Sequence, residues 1–391
     1  MDALSQGRLL CDTLRVTAAD DGERARLATM WRDADRGALV ALAMHEGAEL
    51  WLQRRLKPLG IGLGDTAHAT LDAAARRTRA GTMRADAALA HVTAIFAAAE
   101  VEVIPLKSAA MRRLTGRLPL ADARGAADVD LLVREVEADR ACAVLREHHF
   151  VPLVSETARP VNHHHRAPMA DQSGTAVELH VTTHATVVPR EAWRRATMQP
   201  QLAEVDGHRV QLPGDTELLW HALAHASRDA TEEARLGLRL RYWLDGAVLV
   251  AGGTIDWTVI RERLDGSELE SPELGRAWLW WAAVLGGRAL GLDEIGTGEI
   301  RALDLPRLLA WRLRVLGEHP PESRWREKLL EEGARVEAGV PGRPGGEGSS
   351  LYAAARHAIA TQAARARYAL WRAGLHRRDG PSSGRPSVPA T

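Results

Sequence analysis

Lysine is almost missing from this chain: Lys57, Lys107 and Lys328 are its only three. Arginine carries nearly all of the positive charge, so each lysine stands out. Cysteine is scarcer still. Cys11 and Cys142 are the two among 391 residues. Two distant thiols build neither a disulfide framework nor a zinc site, and a reducing cytoplasm is their natural home. Neither sign of charge prevails, with 51 Lys and Arg against 51 Asp and Glu. That balance leaves no overall basic field to recruit nucleic acid. Long apolar runs are missing too. The longest, Ala277 to Gly287, stops at Arg288 and is too short to cross a bilayer. Charges such as Asp2 and Asp12 crowd the first thirty residues, which is unlike a signal peptide.

What remains is an ordinary globular composition, 46% apolar and 26% charged, long enough for two or three domains. From Thr17 to about Ala98 the apolar residues recur at helical spacing. Leu39, Leu42 and Ala43 start one stripe, which Ala48, Leu52 and Leu56 continue until Pro58 and Gly60 stop it. Asp65 is a plausible cap for a second long helix, Thr66 to Ala99. Then the period changes. Val101 to Leu106 reads as a strand, Ala109 to Leu114 as a short helix, and Asp128 to Val133 as a second strand. A helix from Val136 to His148 follows, burying Ala138, Ala141, Cys142 and Leu145. Phe150 to Val154, Asn162 to Met169 and Ala176 to Val181 read as further strands, the last two joined by a turn at Asp171 to Gly174. A hairpin is expected at Val205 to Leu212, about Asp206-Gly207. After a cap at Asp215 or Thr216, helices are expected at Glu217 to Ala226, Leu236 to Val250, Trp278 to Leu290 and Arg307 to Leu316. Trp278, Trp280 and Trp281 read as core. The pattern is α+β: a small mixed sheet, residues 99–214, between helical regions at 1–98 and 215–339. Residues 340–350 read as a linker, 351–377 as a basic helix and 378–391 as a disordered tail.

Chemistry concentrates between Val101 and Val133. Asp128 and Asp130 lie two apart in a strand, so both carboxylates point to one face. At roughly 5–7 Å apart they repel unless a cation sits between them, and oxygen ligands suit Mg²⁺ or Mn²⁺. Glu178, on a later strand, is a third carboxylate, with His180 two residues on and on the same face. Lys107-Ser108-Ala109 sits where the first strand turns into a helix, with Arg112, Arg113 and Arg124 within reach. Metal-assisted phosphoryl or nucleotidyl transfer needs these parts: carboxylates for the ion, a turn facing phosphates and cations for the leaving group. Other histidines carry less. In Asn162-His163-His164-His165, alternation sends His164 away from its neighbours, and His221 and His225 lack the third ligand that a zinc site needs.

The runs IPLKSAA, R-x-x-x-DVDLLV, LREHHF and VELH, then His221 to His225 and Tyr242 to Asp245, resemble the bacterial uncharacterised nucleotidyltransferase family. The VALAMHEGAELW segment around His45 is also similar to its helical lead-in, so the resemblance covers about residues 30 to 260. It implies the DNA polymerase beta-like nucleotidyltransferase superfamily and a nucleotidyltransferase core for the small sheet. By that resemblance Asp128, Asp130 and Glu178 are catalytic and bind Mg²⁺ or Mn²⁺. Lys107, Ser108, Arg112, Arg124 and His180 would face the nucleotide. Ser108 stands where the family pattern has glycine, a residue with wider backbone freedom. The implied activity is transfer of NMP from an NTP, ATP among them, to a hydroxyl or phosphate acceptor on a small molecule, peptide or protein. Two alternatives stay open. One is phosphotransfer in a peptide natural-product pathway, since members of the family resemble accessory proteins of such clusters. The other is a non-catalytic nucleotide-binding or antitoxin-like partner.

Overall fold

A computed structural model describes residues 1–153, 165–184, 187–232, 239–266, 268–269, 272–291 and 304–318. Its N-terminal helices begin where short acidic side chains can accept the orphan N–H groups of a first turn. Asp2, Asp20 and Asp35 cap α1 (Ala3–Thr13), α2 (Asp21–Asp33) and α3 (Arg36–His45) in this way. Gly47, at φ +68°, splits the stripe expected to run through Leu56, so α4 (Glu49–Leu56) is a separate helix. α5 (Asp65–Ala98) is the longest helix. Asp65, expected as its cap, is its first helical residue and follows Gly64, so the cap carries no side-chain bond.

β1 is Val103–Pro105, shorter than expected because Leu106 already leads into α6 (Lys107–Met111). β2 (Asp128–Val133), α7 (Ala138–Glu147), β3 (Val151–Pro152), β4 (Met169–Ala170) and β5 (Ala176–His180) follow. The strand order is β1-β2-β5-β4-β3, with β2 and β5 parallel and the other pairs antiparallel. This is the mixed sheet expected from the sequence. The strand expected at Asn162 to Met169 shrinks to β4 plus one bridge, His165 to His180; residues 161–164 lie outside the described residues. The Asp171 turn forms as expected, with Gly174 at φ +77° donating to the Asp171 carbonyl.

Alternation along the strands gives the sheet two unlike faces. Val129, Leu131, Val133, Val177 and Leu179 join the main core, on the side of α5 and α7. α7 buries Ala138, Ala141, Cys142 and Leu145 as expected, and Val144 as well. Across the sheet, Ile104, Leu106 and Leu132 form a small separate cluster under Ala196 of α8 (Pro189–Met198). Beside that cluster the face is polar.

β6 (Gln201–Val205) and β7 (His208–Leu212) make the expected hairpin, beginning earlier than read. Asp206 and Gly207 both have positive φ, as a tight two-residue turn between twisted strands requires. α9 (Asp215–Glu232), α10 (Leu240–Gly252), α11 (Trp257–Asp265), α12 (Pro272–Gly286) and α13 (Leu305–Glu318) complete the described fold. Asp215 is the first helical residue of α9. Its carboxylate is drawn outward to Arg117, the Gln201 amide and the Thr254 N–H. At Gly246 a Cβ would lie 2.4 Å from the Trp278 ring, so glycine lets α10 and α12 touch. Trp278 is core, as expected. The linker, basic helix and tail read at 340–391 lie outside the described residues. Among the described residues no helix is long and apolar enough to cross a membrane.

Candidate active site

β2 and β5 run parallel with Asp130 opposite Glu178 and Leu132 opposite His180. Pleating therefore sends Asp128, Asp130, Glu178 and His180 to the polar face together. Asp130 is buried, at 1% exposure. Its Oδ1 accepts from Lys107 Nζ at 2.7 Å and meets His180 Nε2 at 2.8 Å. Glu178 Oε2 lies 3.7 Å from the same imidazole nitrogen. One donor atom from each of Asp130, Glu178 and His180 falls within 4.8 Å of the others. Asp128, expected as a ligand, shares the face but stands outside that three-residue group. His180, expected against the nucleotide, stands inside it.

The electrostatics follow from three carboxylates facing one ammonium. Burial alone would raise the Asp130 pKa, but the Lys107 charge and the His180 hydrogen bond outweigh it and hold the carboxyl well below its usual range. Burial and the neighbouring Asp130 charge raise the Asp128 pKa, against the pull of Lys107, Arg124 and Arg241. Burial works against a charged Lys107, yet Asp130, Glu178 and Asp128 together raise its pKa and keep it an ammonium. The donor set fits a divalent ion. Its oxygens suit Mg²⁺ or Mn²⁺, and its imidazole suits Mn²⁺ better than Mg²⁺.

Lys107 itself takes the left-handed conformation, at φ +46°. Ser108 does not, and lies buried inside α6. The serine in place of the family's glycine therefore costs this turn nothing. The two arginines expected at the nucleotide are committed elsewhere. Arg112 bonds Asp86 at 2.6 Å and the carbonyls of Asp122 and Arg124. Arg124 pairs with Asp245 of α10 at 2.7 Å and donates to the Gly125 carbonyl. Both hold the loop that delivers Asp128. Arg241, whose charge reaches Asp128, was not singled out by the sequence: it directly precedes the Tyr242 to Asp245 run, but nothing local ties it to Asp128. His221 is buried in α9, and the His225 ring sits 5.2 Å from that of Tyr242.

Residues 32–281, well over half of the chain, match the family described as uncharacterised nucleotidyltransferase. The chain belongs to that family. The matched span runs from α2 to α12 and contains the whole sheet with its acidic face. No curated protein and no solved structure matches this nucleotidyltransferase family member.

Proposed function

We propose that this chain transfers a nucleoside monophosphate from an NTP to a hydroxyl or phosphate acceptor on a small molecule, peptide or protein. The observation that carries the reading is the meeting of Asp130 and Glu178 on paired strands, with Asp128 on the same face and Lys107 on Asp130. Asp128, Asp130 and Glu178 would hold the divalent ion, with His180 against the same oxygens. Bound there, Mg²⁺ or Mn²⁺ supplies charge neutralisation on the phosphates and a more acidic acceptor oxygen.

The remaining work belongs to the chain. Lys107, at the turn into α6, offsets negative charge on the triphosphate, and the Ser108 turn lies beside it. Glu178 is the least buried of the cluster's grouped donors and is placed to take the acceptor proton. The acceptor oxygen bonds to the α-phosphorus as the bond to pyrophosphate breaks. Arg112 and Arg124 act through the loop that they brace, keeping Asp128 at the cleft.

A screen of labelled NTPs with Mg²⁺ or Mn²⁺, read by label transfer and intact mass, tests this. Added NMP mass supports it, and added phosphate mass points to phosphotransfer at the same cluster. Turnover retained in Asp128→Ala, or NTP binding with no turnover on any acceptor, would sink it and favour the non-catalytic partner.

A further inference from the structure

Four arginines crowd the start of α10, and they are unequally matched. Arg124 is paired with Asp245, and Arg312 with Glu46. Arg239, just before α10, and Arg241, in its first turn, have no carboxylate partner among the described residues. Arg241 Nη2 donates to the Tyr242 hydroxyl at 2.7 Å, and its guanidinium lies 4.7 Å from that ring. Its Nε is buried without an acceptor. The Arg239 Nε is buried and bare as well, and no side-chain hydrogen bond of Arg239 is made within the described fold.

A guanidinium half withdrawn from water with a donor left unbonded is costly, and this fold keeps two at the start of α10. Burial lowers the Arg239 pKa, and the charges of Arg241 and Arg312 lower it further against the pull of Glu46. Its neighbour faces the acids: Asp245 and Asp128 both act on the Arg241 charge. The helix amides are not what is on offer, because Glu46 already takes the Leu240 N–H at 2.9 Å. The unspent donors are the side chains. Paired guanidiniums fork onto phosphate oxygens, which bring the charge this corner lacks.

We propose that Arg239 and Arg241 form the anion-binding wall of the cleft and grip the triphosphate of the nucleotide. This rests on the nucleotidyltransferase reading of the acidic face, and it moves to α10 the role expected of Arg112 and Arg124. The wall offers unbonded guanidinium donors, which the substrate's phosphates would take up.

The test is calorimetric titration of the full chain with sodium tripolyphosphate and with each NTP in Mg²⁺, for wild type and the Arg239→Gln/Arg241→Gln double variant. The variant should bind both about 10- to 100-fold more weakly, the loss expected for charge-assisted bonds. Its ligand-free melting temperature should equal or exceed that of wild type, since two guanidiniums with unbonded buried Nε donors have gone; a merely structural pair would lower it. Wild-type binding of tripolyphosphate with no NTP binding supports the wall and sinks the nucleotide reading. Unchanged tripolyphosphate affinity in the variant overturns the wall alone. Lost tripolyphosphate binding with an unchanged KM for NTP also overturns the assignment, because the wall would then serve a phosphate on the acceptor.

Discussion

Glu46 and Asp130 are both buried almost completely, at 0% and 1% exposure, and both meet a cation and a second donor. Glu46 follows α3, pairs with Arg312 of α13 and accepts the Leu240 N–H of α10. One acid meets one cation there, and three helices are tied by it. Asp130 meets Lys107 and His180, and Asp128 and Glu178 stand on the same face, so three carboxylates gather there around one lysine and one imidazole. Burial of an ion pair does not by itself mark a site. Convergence of several acids does. The acidic face gathers Asp128, Asp130 and Glu178 on paired strands, whereas Glu46 is joined one to one with Arg312.

Replacing each acid separates the two roles. Asp130→Asn should lower label transfer on the order of 10³-fold, the scale seen when a charge-stabilising group is removed from a reacting centre. Divalent ions should raise the melting temperature of wild type and not of the variant. Comparable activity in the variant would mean that the acidic face does no chemistry. Glu46→Ala should act in the opposite sense. It strands Arg312 and the Leu240 N–H, and breaking a buried pair costs about 3–5 kcal/mol of stability. Urea unfolding would read that loss, while the divalent-ion shift stays as in wild type.

The acidic face was legible because alternation along a strand is local. Asp128, Asp130, Glu178 and His180 follow from the period of two once DVDLLV and VELH read as strands. The Asp206-Gly207 hairpin and the buried stripe of α7 were legible for the same local reason. Partnerships across the fold were not. Arg124 with Asp245 and Arg117 with Asp215 join residues distant in sequence, and nothing near either arginine announces its partner. Likewise α8 and α11 carry no pattern that was read in advance. The turn at Lys107 shows the limit at a single residue. A glycine pattern pointed to Ser108, yet the left-handed residue is Lys107. Ser108→Gly should therefore gain nothing, and should cost about 0.5–1 kcal/mol for glycine inside a helix, measured by thermal unfolding.

The smallest effect tests whether a balanced carboxylate away from the acidic face behaves as Glu46 does. Burial alone would raise the Asp215 pKa. Arg117, the Thr254 N–H and the Gln201 amide outweigh it, and the folded value is lowered. A lowered folded pKa contributes stability above the unfolded value, about 3.9, and that contribution is lost as pH falls through the folded value. Wild type should therefore melt higher than Asp215→Asn at neutral pH, with the gap closing below about pH 4. A gap that holds constant with pH would show that shape rather than ionisation fastens Arg117 to α9. Mg²⁺ should leave the gap unchanged, because this acid is matched in place by its own arginine, whereas the Asp130 pair of proteins should separate further when the ion is added.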